Sequence, residues 1–208
     1  MGKLCYFDIH GRAAPIRMLL AHKGIEYEDE RLSFEAFGAL KAAGKVKALP
    51  VWEEDGKIFN ESKALLRFLG TRHGYYPRDV NIAWQCDALV DYFPALVEKF
   101  NKHFLSEEFP EEVLDDFKET MDKLMEKCET QLTKHGKKFL VNENLTIADF
   151  MIFGNIASWF CNDSFVFKEQ TADLMEELRD DHRMFFKWVD YMKEECAEHL
   201  EKREARKF

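Results

Sequence analysis

The pattern of apolar residues changes near residues 74–80. Before this point short apolar strands alternate with helical segments, and after it apolar residues recur only at helical spacing. In the first part, Asp55-Gly56 separates two short apolar runs, which is a strong signal for an antiparallel hairpin. The element order is then βαβ followed by αββα, and this order requires a mixed sheet because parallel neighbours need a crossover. We predict an α/β domain over residues 1–76 and an all-helical domain over residues 80–208.

Single elements are predicted from their apolar pattern and their termini. Strands are predicted over Lys3–Phe7, Glu26–Leu32, Ala48–Trp52 and Lys57–Phe59, and helices over Pro15–Lys23, Phe34–Ala42, Ser62–Arg72, Glu111–Lys134, Phe150–Phe160 and around Trp188–Met192. A helix carrying Trp84 to Phe100 should kink at Pro94, because proline removes a hydrogen bond from a helix interior. Thr146-Ile147-Ala148-Asp149 has the form of a capping box, which predicts a buried helix with a fixed start.

Charge and cysteine usage exclude several function classes. The formal net charge of -9 argues against nucleic acid as a partner, since phosphate binding needs a basic face. The basic cluster of Lys202, Arg203, Arg206 and Lys207 is interpreted as a solvated helix end. The five scattered cysteines form no C-x-x-C pair, so we expect reduced thiols in a cytoplasmic protein, without a disulfide or metal site. No signal peptide and no apolar run of about 20 residues is seen, so no membrane association is expected.

Tyr6 stands at the end of the first strand, just before a helix that begins near Pro15. A phenol in this place points across a helix N-terminus, where backbone N–H groups favour an anion. Its hydroxyl can donate a hydrogen bond to that anion while staying protonated, because the unperturbed pKa of tyrosine is about 10. This pattern favours an anionic small molecule beside Tyr6. The alternative is an ordinary strand tyrosine with its ring in the core and its hydroxyl in water.

Two further elements of the first domain could converge on the same pocket. Leu49-Pro50 opens the third strand, and a cis bond there would leave the Leu49 N–H and C=O free for a peptide-like ligand. Ser62 is a good helix cap that suits a carboxylate, and Glu61 beside it suits an ammonium. Lys41 could hold a second carboxylate. Taken singly, each residue has a structural explanation, namely a cap, a strand entry or a solvated lysine.

Together these motifs resemble the cytosolic glutathione transferases, and the resemblance covers the whole chain. The matching segments are Tyr6-Phe7-Asp8-Ile9, Gly11-Arg12, Pro15-Ile16-Arg17, Leu49-Pro50-Val51, Asp55-Gly56, Glu61-Ser62 and Thr146–Asp149. The opening segment is most similar to the sigma class. The resemblance implies a thioredoxin-like N-terminal domain of βαβαββα order, an all-helical C-terminal domain and a homodimer. It also implies that glutathione is a cosubstrate, with no permanently bound cofactor and no metal.

The resemblance further implies the roles of single residues. Tyr6 would stabilise the glutathione thiolate for attack on a hydrophobic electrophile, with Arg12 as a second catalytic residue. Glu61 and Ser62 would hold the γ-glutamyl end, and the Leu49-Pro50 backbone would pair with the cysteinyl part. The remaining binding residues would be Lys41, Lys47, Ala48 and Phe37. Phe37 stands where sigma members carry Trp, and Ala48 where relatives carry Gln or Lys, so weaker glutathione binding is expected.

Three alternatives remain open from the sequence. Cys5 could form mixed disulfides with glutathione, although strand alternation places it on the face opposite to Tyr6. The protein could be a non-catalytic scaffold on the same fold, or a carrier of apolar compounds. If it is an enzyme, its electrophile pocket is expected between the Ile9-His10 turn and the C-terminal helices, lined by Phe100, Phe104 and Phe160.

Overall fold

The computed structural model describes residues 1–136 and 138–206. Its sheet unit consists of strands β1 (Gly2–Phe7), β2 (Tyr27–Leu32), β3 (Val51–Glu54) and β4 (Lys57–Phe59) with helices α1 (Ala14–His22), α2 (Phe34–Ala42) and α3 (Ser62–His73). Its helical unit consists of α4 (Val80–Val97), α5 (Asn101–Ser106), α6 (Glu111–Lys134), α7 (Ile147–Trp159), α8 (Lys168–Asp181), α9 (Arg183–Glu195) and α10 (Ala197–Lys202). Short 3-10 turns cover Gly11–Ala13 and Glu98–Phe100.

The sheet has the predicted mixed topology. Its strand order is β2-β1-β3-β4, with β1 parallel to β2 and β3 antiparallel to both of its neighbours. Asp55 and Gly56, in the turn between β3 and β4, have positive φ angles of 50° and 71°. Positive φ at two central residues matches the twist of a two-residue hairpin, so the hairpin prediction is confirmed.

Several element boundaries differ from the prediction. Strand β3 begins at Val51 rather than Ala48, because Pro50 has no N–H to donate and pairing with β1 begins at Cys5–Val51. Helix α4 continues through Pro94 to Val97, so Phe100 falls in the following 3-10 turn. The sequence-based prediction missed α5, α8 and α10, which are short or strongly polar.

Helix α7 forms the centre of the molecule and fixes the helical unit against the sheet unit. A Cβ atom on Gly154 would lie 2.9 Å from the Pro15 nitrogen, and one on Gly70 would lie 2.3 Å from the Ile147 side chain. Helices α1 and α3 can therefore approach α7 this closely only because glycine occupies both contacts. The Tyr6 turn, which precedes α1, is thereby held at a fixed position relative to the helical unit.

The start of α7 is specified as predicted by its capping box. Thr146 donates its backbone N–H and its hydroxyl to Asp149 Oδ2, both at 2.9 Å. Asp149 Oδ1 accepts from the Leu140 N–H at 2.9 Å and from the Trp188 indole N–H at 3.3 Å. Burial raises the pKa of Asp149 to about 6, although these donors favour the carboxylate. One buried side chain thus joins the start of α7 to α9 and to the loop before α7.

Candidate functional site

Tyr6 lies at the end of β1, with its ring in the core and only 5% of the residue exposed. Its hydroxyl oxygen accepts a hydrogen bond from the Arg12 backbone N–H at 3.1 Å. Burial raises the pKa of Tyr6, so the phenol stays protonated at neutral pH. The oxygen is therefore oriented by a backbone donor at the helix entrance, and its own proton remains for an acceptor. The alternative, a strand tyrosine whose hydroxyl lies in water, is excluded because the hydroxyl accepts this backbone hydrogen bond and the residue is buried.

Gly11 makes this arrangement of the hydroxyl possible. Its φ angle is +40°, and a Cβ atom there would lie 2.8 Å from the Tyr6 hydroxyl oxygen. Only glycine takes up such a backbone conformation without strain and leaves room for the phenol. Arg12 contributes through its backbone N–H, whereas its side chain is exposed. The structure thus brings the two predicted catalytic residues together, and the contact is made by the backbone N–H of Arg12 and not by its side chain.

The Leu49-Pro50 peptide bond is cis, and both residues are buried. The paired segment of β1 and β3 ends at Cys5–Val51, so Leu49 lies beyond the last ladder pair. Lys47 and Ala48, just before it, are exposed. The main chain of Leu49 therefore lies at the start of the inner strand β3 without a partner in the ladder, and the exposed cation of Lys47 precedes it.

Glu61 has the unusual backbone angles φ 67° and ψ 100° and occupies the N-cap position of α3. Ser62 is the first residue of the helix, so the prediction that Ser62 is the cap was wrong, and no side chain caps this end. Positive φ in a residue other than glycine is uncommon and tends to occur at functional sites. The first N–H groups of α3 therefore have no side-chain cap, and N–H groups at a helix N-terminus suit a carboxylate ligand.

Helix α2 carries Phe37 and Lys41 next to β1. The Phe37 ring packs edge-on against Phe7 with centroids 5.2 Å apart, and the Lys41 ammonium lies 5.9 Å from the Phe37 centroid. Among the described residues, neither Lys41 nor Lys47 forms an ion pair. Both cations therefore remain available for an anionic ligand, while Phe37 supplies packing and no hydrogen-bond donor.

Cys5 takes no part in this arrangement. It is 4% exposed, and its thiol donates a hydrogen bond to Glu30 Oε2 at 2.9 Å. Burial, together with the Glu30 carboxylate, raises the pKa of Cys5 to about 12. A thiol with such a pKa is neutral at physiological pH and is a poor nucleophile.

A cavity of about 450 Å³ opens beside the turn that follows Tyr6. It is lined by Asp8, Ile9, Phe34, Leu105, Glu107, Ser164, Ala205 and Arg206. Ile9 was among the predicted surroundings, but the prediction that Phe100 and Phe104 line the pocket was wrong. These two side chains are 1% and 4% exposed and pack in an aromatic cluster with Phe117. Phe160 lies instead at a different cavity, between α7, α8 and α9.

The C-terminal basic cluster is not a solvated helix end, which corrects the sequence interpretation. The Arg203 guanidinium donates to the backbone carbonyls of Ala157 at 3.0 Å and Cys161 at 2.7 Å. The Arg206 Nε donates to Asp8 Oδ1 at 2.7 Å. Lys202 is exposed as expected, and Lys207 lies outside the described residues. The charged side chains fasten the tail because carbonyls and a carboxylate of the folded protein lie within their reach.

Comparison with known proteins decides the family. A family model of the glutathione S-transferase N-terminal domain matches residues 2–71, and one of the C-terminal domain matches residues 95–203. The chain belongs to the glutathione S-transferase family. It is 34% identical to glutathione S-transferase 3 of Caenorhabditis elegans over 164 residues, which are 75% of this chain and 79% of that protein.

Solved structures of glutathione S-transferases show the same fold. The enzyme from Ascaris lumbricoides superposes with a TM-score of 0.83 at 25% identity, over the full length of both chains. Na-GST-3 of the hookworm Necator americanus, described as monomeric, gives a TM-score of 0.83 at 24% identity and covers 100% of this chain and 99% of its own. The thioredoxin-like unit with a mixed sheet and the helical unit are therefore those of glutathione S-transferases.

Two further properties of the described residues bear on the function. No described helix combines the length and the apolar character needed to cross a membrane. Within residues 1–136 and 138–206, no group of three or more His, Cys, Asp or Glu side chains is arranged to hold a metal ion.

Proposed function

We propose that this protein transfers the glutathione thiolate to apolar electrophiles and that the Tyr6 hydroxyl stabilises the thiolate. The observation that carries the proposal is the Tyr6 oxygen, which accepts the Arg12 N–H and keeps its own proton for the sulfur. The pKa of a free thiol is near 8.5 and must be lowered by about two units, which corresponds to about 2.7 kcal/mol. One hydrogen bond to a charged group contributes about 1.5–3 kcal/mol, so a general base is not required.

The tripeptide would lie along the edge formed by the Leu49-Pro50 bond and the start of α3. Support comes from the Leu49 backbone beyond the β3 ladder and from the start of α3 at Ser62, which no side chain caps. Glu61 would meet the α-ammonium of glutathione. Lys41 and Lys47, neither of which has an ion-pair partner among the described residues, would meet the glycyl carboxylate.

Ala48, next to Lys47, and Phe37, next to Lys41, would contact glutathione without polar side-chain groups. Placement in the sigma class stays a prediction that rests on the opening segment from Tyr6 to Arg17. The division of the chain into domains of residues 1–76 and 80–208 likewise stays a prediction. The cavity beside Ile9 would take the electrophile.

A homodimer would cover large apolar side chains that are exposed on this chain. Ile58, Val80 and Trp84 are large apolar side chains that are 60%, 80% and 69% exposed. A second copy of the chain is the occupant that the family suggests, and we place the protein in the cytoplasm because of its free thiols. Sedimentation of the wild type against Trp84→Glu tests the contact, since a wild-type monomer would contradict it.

Steady-state turnover of glutathione with a chlorinated nitrobenzene tests the catalytic proposal. Tyr6→Phe should lower kcat/KM by about ten- to a hundredfold, because it removes one hydrogen bond to a charged group. Tyr27→Phe is the matched control, since it removes a phenol from the neighbouring strand β2. Equal turnover in wild type and Tyr6→Phe would contradict the proposed role. Binding of an apolar dye by a wild type that shows no turnover would favour the carrier alternative.

A further inference from the structure

The last described residues of the chain, Arg203 to Arg206, form a tail that is fastened at several points. Arg203 donates to two carbonyl groups at the end of α7, as described above. Asn162 donates its side-chain N–H to the Arg206 carbonyl at 2.6 Å, and Arg206 in turn donates to Asp8 at 2.7 Å. The final contact spans 198 positions of sequence. It joins the end of the helical unit to the turn that follows the strand of Tyr6.

This tail also forms part of a wall of the cavity beside the Asp8-Ile9 turn. Ala205 and Arg206 line the cavity, and the other apolar lining comes from Ile9, Phe34 and Leu105. The Asp8–Arg206 pair joins the tail to Asp8, a lining residue at the other end of the sequence. Arg203 and Asn162 hold the tail to the helical unit, and the Asp8–Arg206 pair attaches it to the turn that follows β1.

We propose that the Asp8–Arg206 ion pair is the specificity-determining contact of the electrophile cavity. It holds the tail in place as a wall, and the wall sets how much of an apolar substituent on the sulfur is buried. The inference rests on the proposed function, since it assigns this cavity to the group attached to glutathione sulfur. Asp8 follows Tyr6 by two residues, so the pair attaches the tail to the turn directly after the strand that carries the phenol.

The chemistry of the pair fits this role. The Asp8 side chain is 51% exposed and that of Arg206 is 23% exposed, so salt can reach the pair. Asp8 also accepts from Arg31 at 3.4 Å, which keeps a cation at the turn when Arg206 is lost. Burial acts to raise the pKa of Asp8, but the hydrogen bond from Arg206 and the charges of both arginines outweigh it and lower the pKa. The carboxylate is therefore charged at physiological pH.

Binding of two S-alkyl glutathiones, measured by calorimetry, tests the inference without requiring turnover. S-hexylglutathione places its chain in the cavity and S-methylglutathione does not, so the ratio of the two Kd values reports on the wall. We expect Arg206→Gln and Asp8→Asn each to reduce the preference for the hexyl compound about fivefold or more, because fewer methylene groups are buried. Lys202→Met is the matched control, since it removes an exposed ion pair of the neighbouring helix and should leave the ratio unchanged.

Two further readouts separate this role from a general loss of stability. The Asp8→Asn, Arg206→Gln double variant should behave like either single variant, because both changes break the same bond. High salt should lower the wild-type preference towards that of Arg206→Gln and leave the variant unaffected. Arg206→Lys, which keeps the charge, should restore part of the preference.

The outcomes also distinguish this inference from the proposed function. If wild type and both single variants bind the two compounds with the same ratio, the inference is overturned while glutathione binding stands. If the wild type binds neither compound nor glutathione, the proposed function itself fails.

Discussion

Replacing Gly11 by alanine should damage catalysis through the Tyr6 hydroxyl. The new Cβ would lie 2.8 Å from that oxygen, whereas ordinary contact begins at 3.4 Å, so about 0.6 Å must be recovered by movement. The phenol is the group that has to move, and its bond to the Arg12 N–H would lengthen. Because a displacement of about 1 Å can cost a hundredfold in rate, we expect kcat/KM to fall about tenfold. The positive φ adds a loss of about 1 kcal/mol in the free energy of unfolding.

A matched control separates the steric effect from the backbone effect. Gly24 has a φ of +67°, and a Cβ atom on it would meet nothing within 4 Å, so Gly24→Ala carries only the backbone cost. Urea unfolding and steady-state turnover should be measured on both variants. We expect comparable losses of stability and a loss of kcat/KM in Gly11→Ala alone. Equal and near-wild-type activity of both variants would refute the close packing of Gly11 against a Tyr6 hydroxyl that takes part in catalysis.

Three other perturbations have defined outcomes. Phe37→Trp should strengthen glutathione binding measured by calorimetry, because an indole N–H would then lie near Lys41, and no gain would count against the assigned subsite. Asp149→Asn should reduce the free energy of unfolding by about 2–4 kcal/mol in urea titrations. The amide N–H₂ of the new side chain would face the donors of Thr146, Leu140 or Trp188, so hydrogen bonds of the buried network would be lost. A change below about 1 kcal/mol would contradict the buried network. Burial lowers the pKa of His10 to about 3, whereas an unfolded histidine has a pKa of about 6.5. The free energy of unfolding is therefore full above about pH 6.5 and falls by about 1.4 kcal/mol per pH unit below it, because the unfolded state then binds a proton that the folded state does not. A His10→Gln variant with an equally steep loss would contradict this.

The sequence predicted those parts of the structure that depend on local signals. The Asp55-Gly56 hairpin and the capping box from Thr146 to Asp149 each consist of a few adjacent residues with defined geometry, and both are confirmed. Strand β3 begins late because Pro50 cannot join the ladder, which the apolar pattern alone did not reveal. Local signals therefore predicted the elements of the sheet unit and their order with small errors at the ends.

The surroundings of the cavity that we propose for the electrophile could not be predicted in the same way. Phe100 and Phe104 belong to an apolar pattern, but only the packing of several helices decides that they face the core rather than the cavity. Arg206 lies in a basic segment whose composition is typical of a solvated tail, and its partner Asp8 lies 198 positions away in sequence. Gly11 carried a signal that could have been used, since a glycine just before Arg12 permits close approach of the phenol.

The Tyr6 hydroxyl is expected to lower the pKa of the glutathione sulfur, and the whole proposed mechanism depends on this effect. Ultraviolet difference titration of the thiolate, performed on glutathione bound to the protein, measures that pKa directly. We predict a sulfur pKa about two units below that of free glutathione in the wild type, and a return towards the free value in Tyr6→Phe. The same sulfur pKa in both proteins would contradict the mechanism, whatever their rates of turnover.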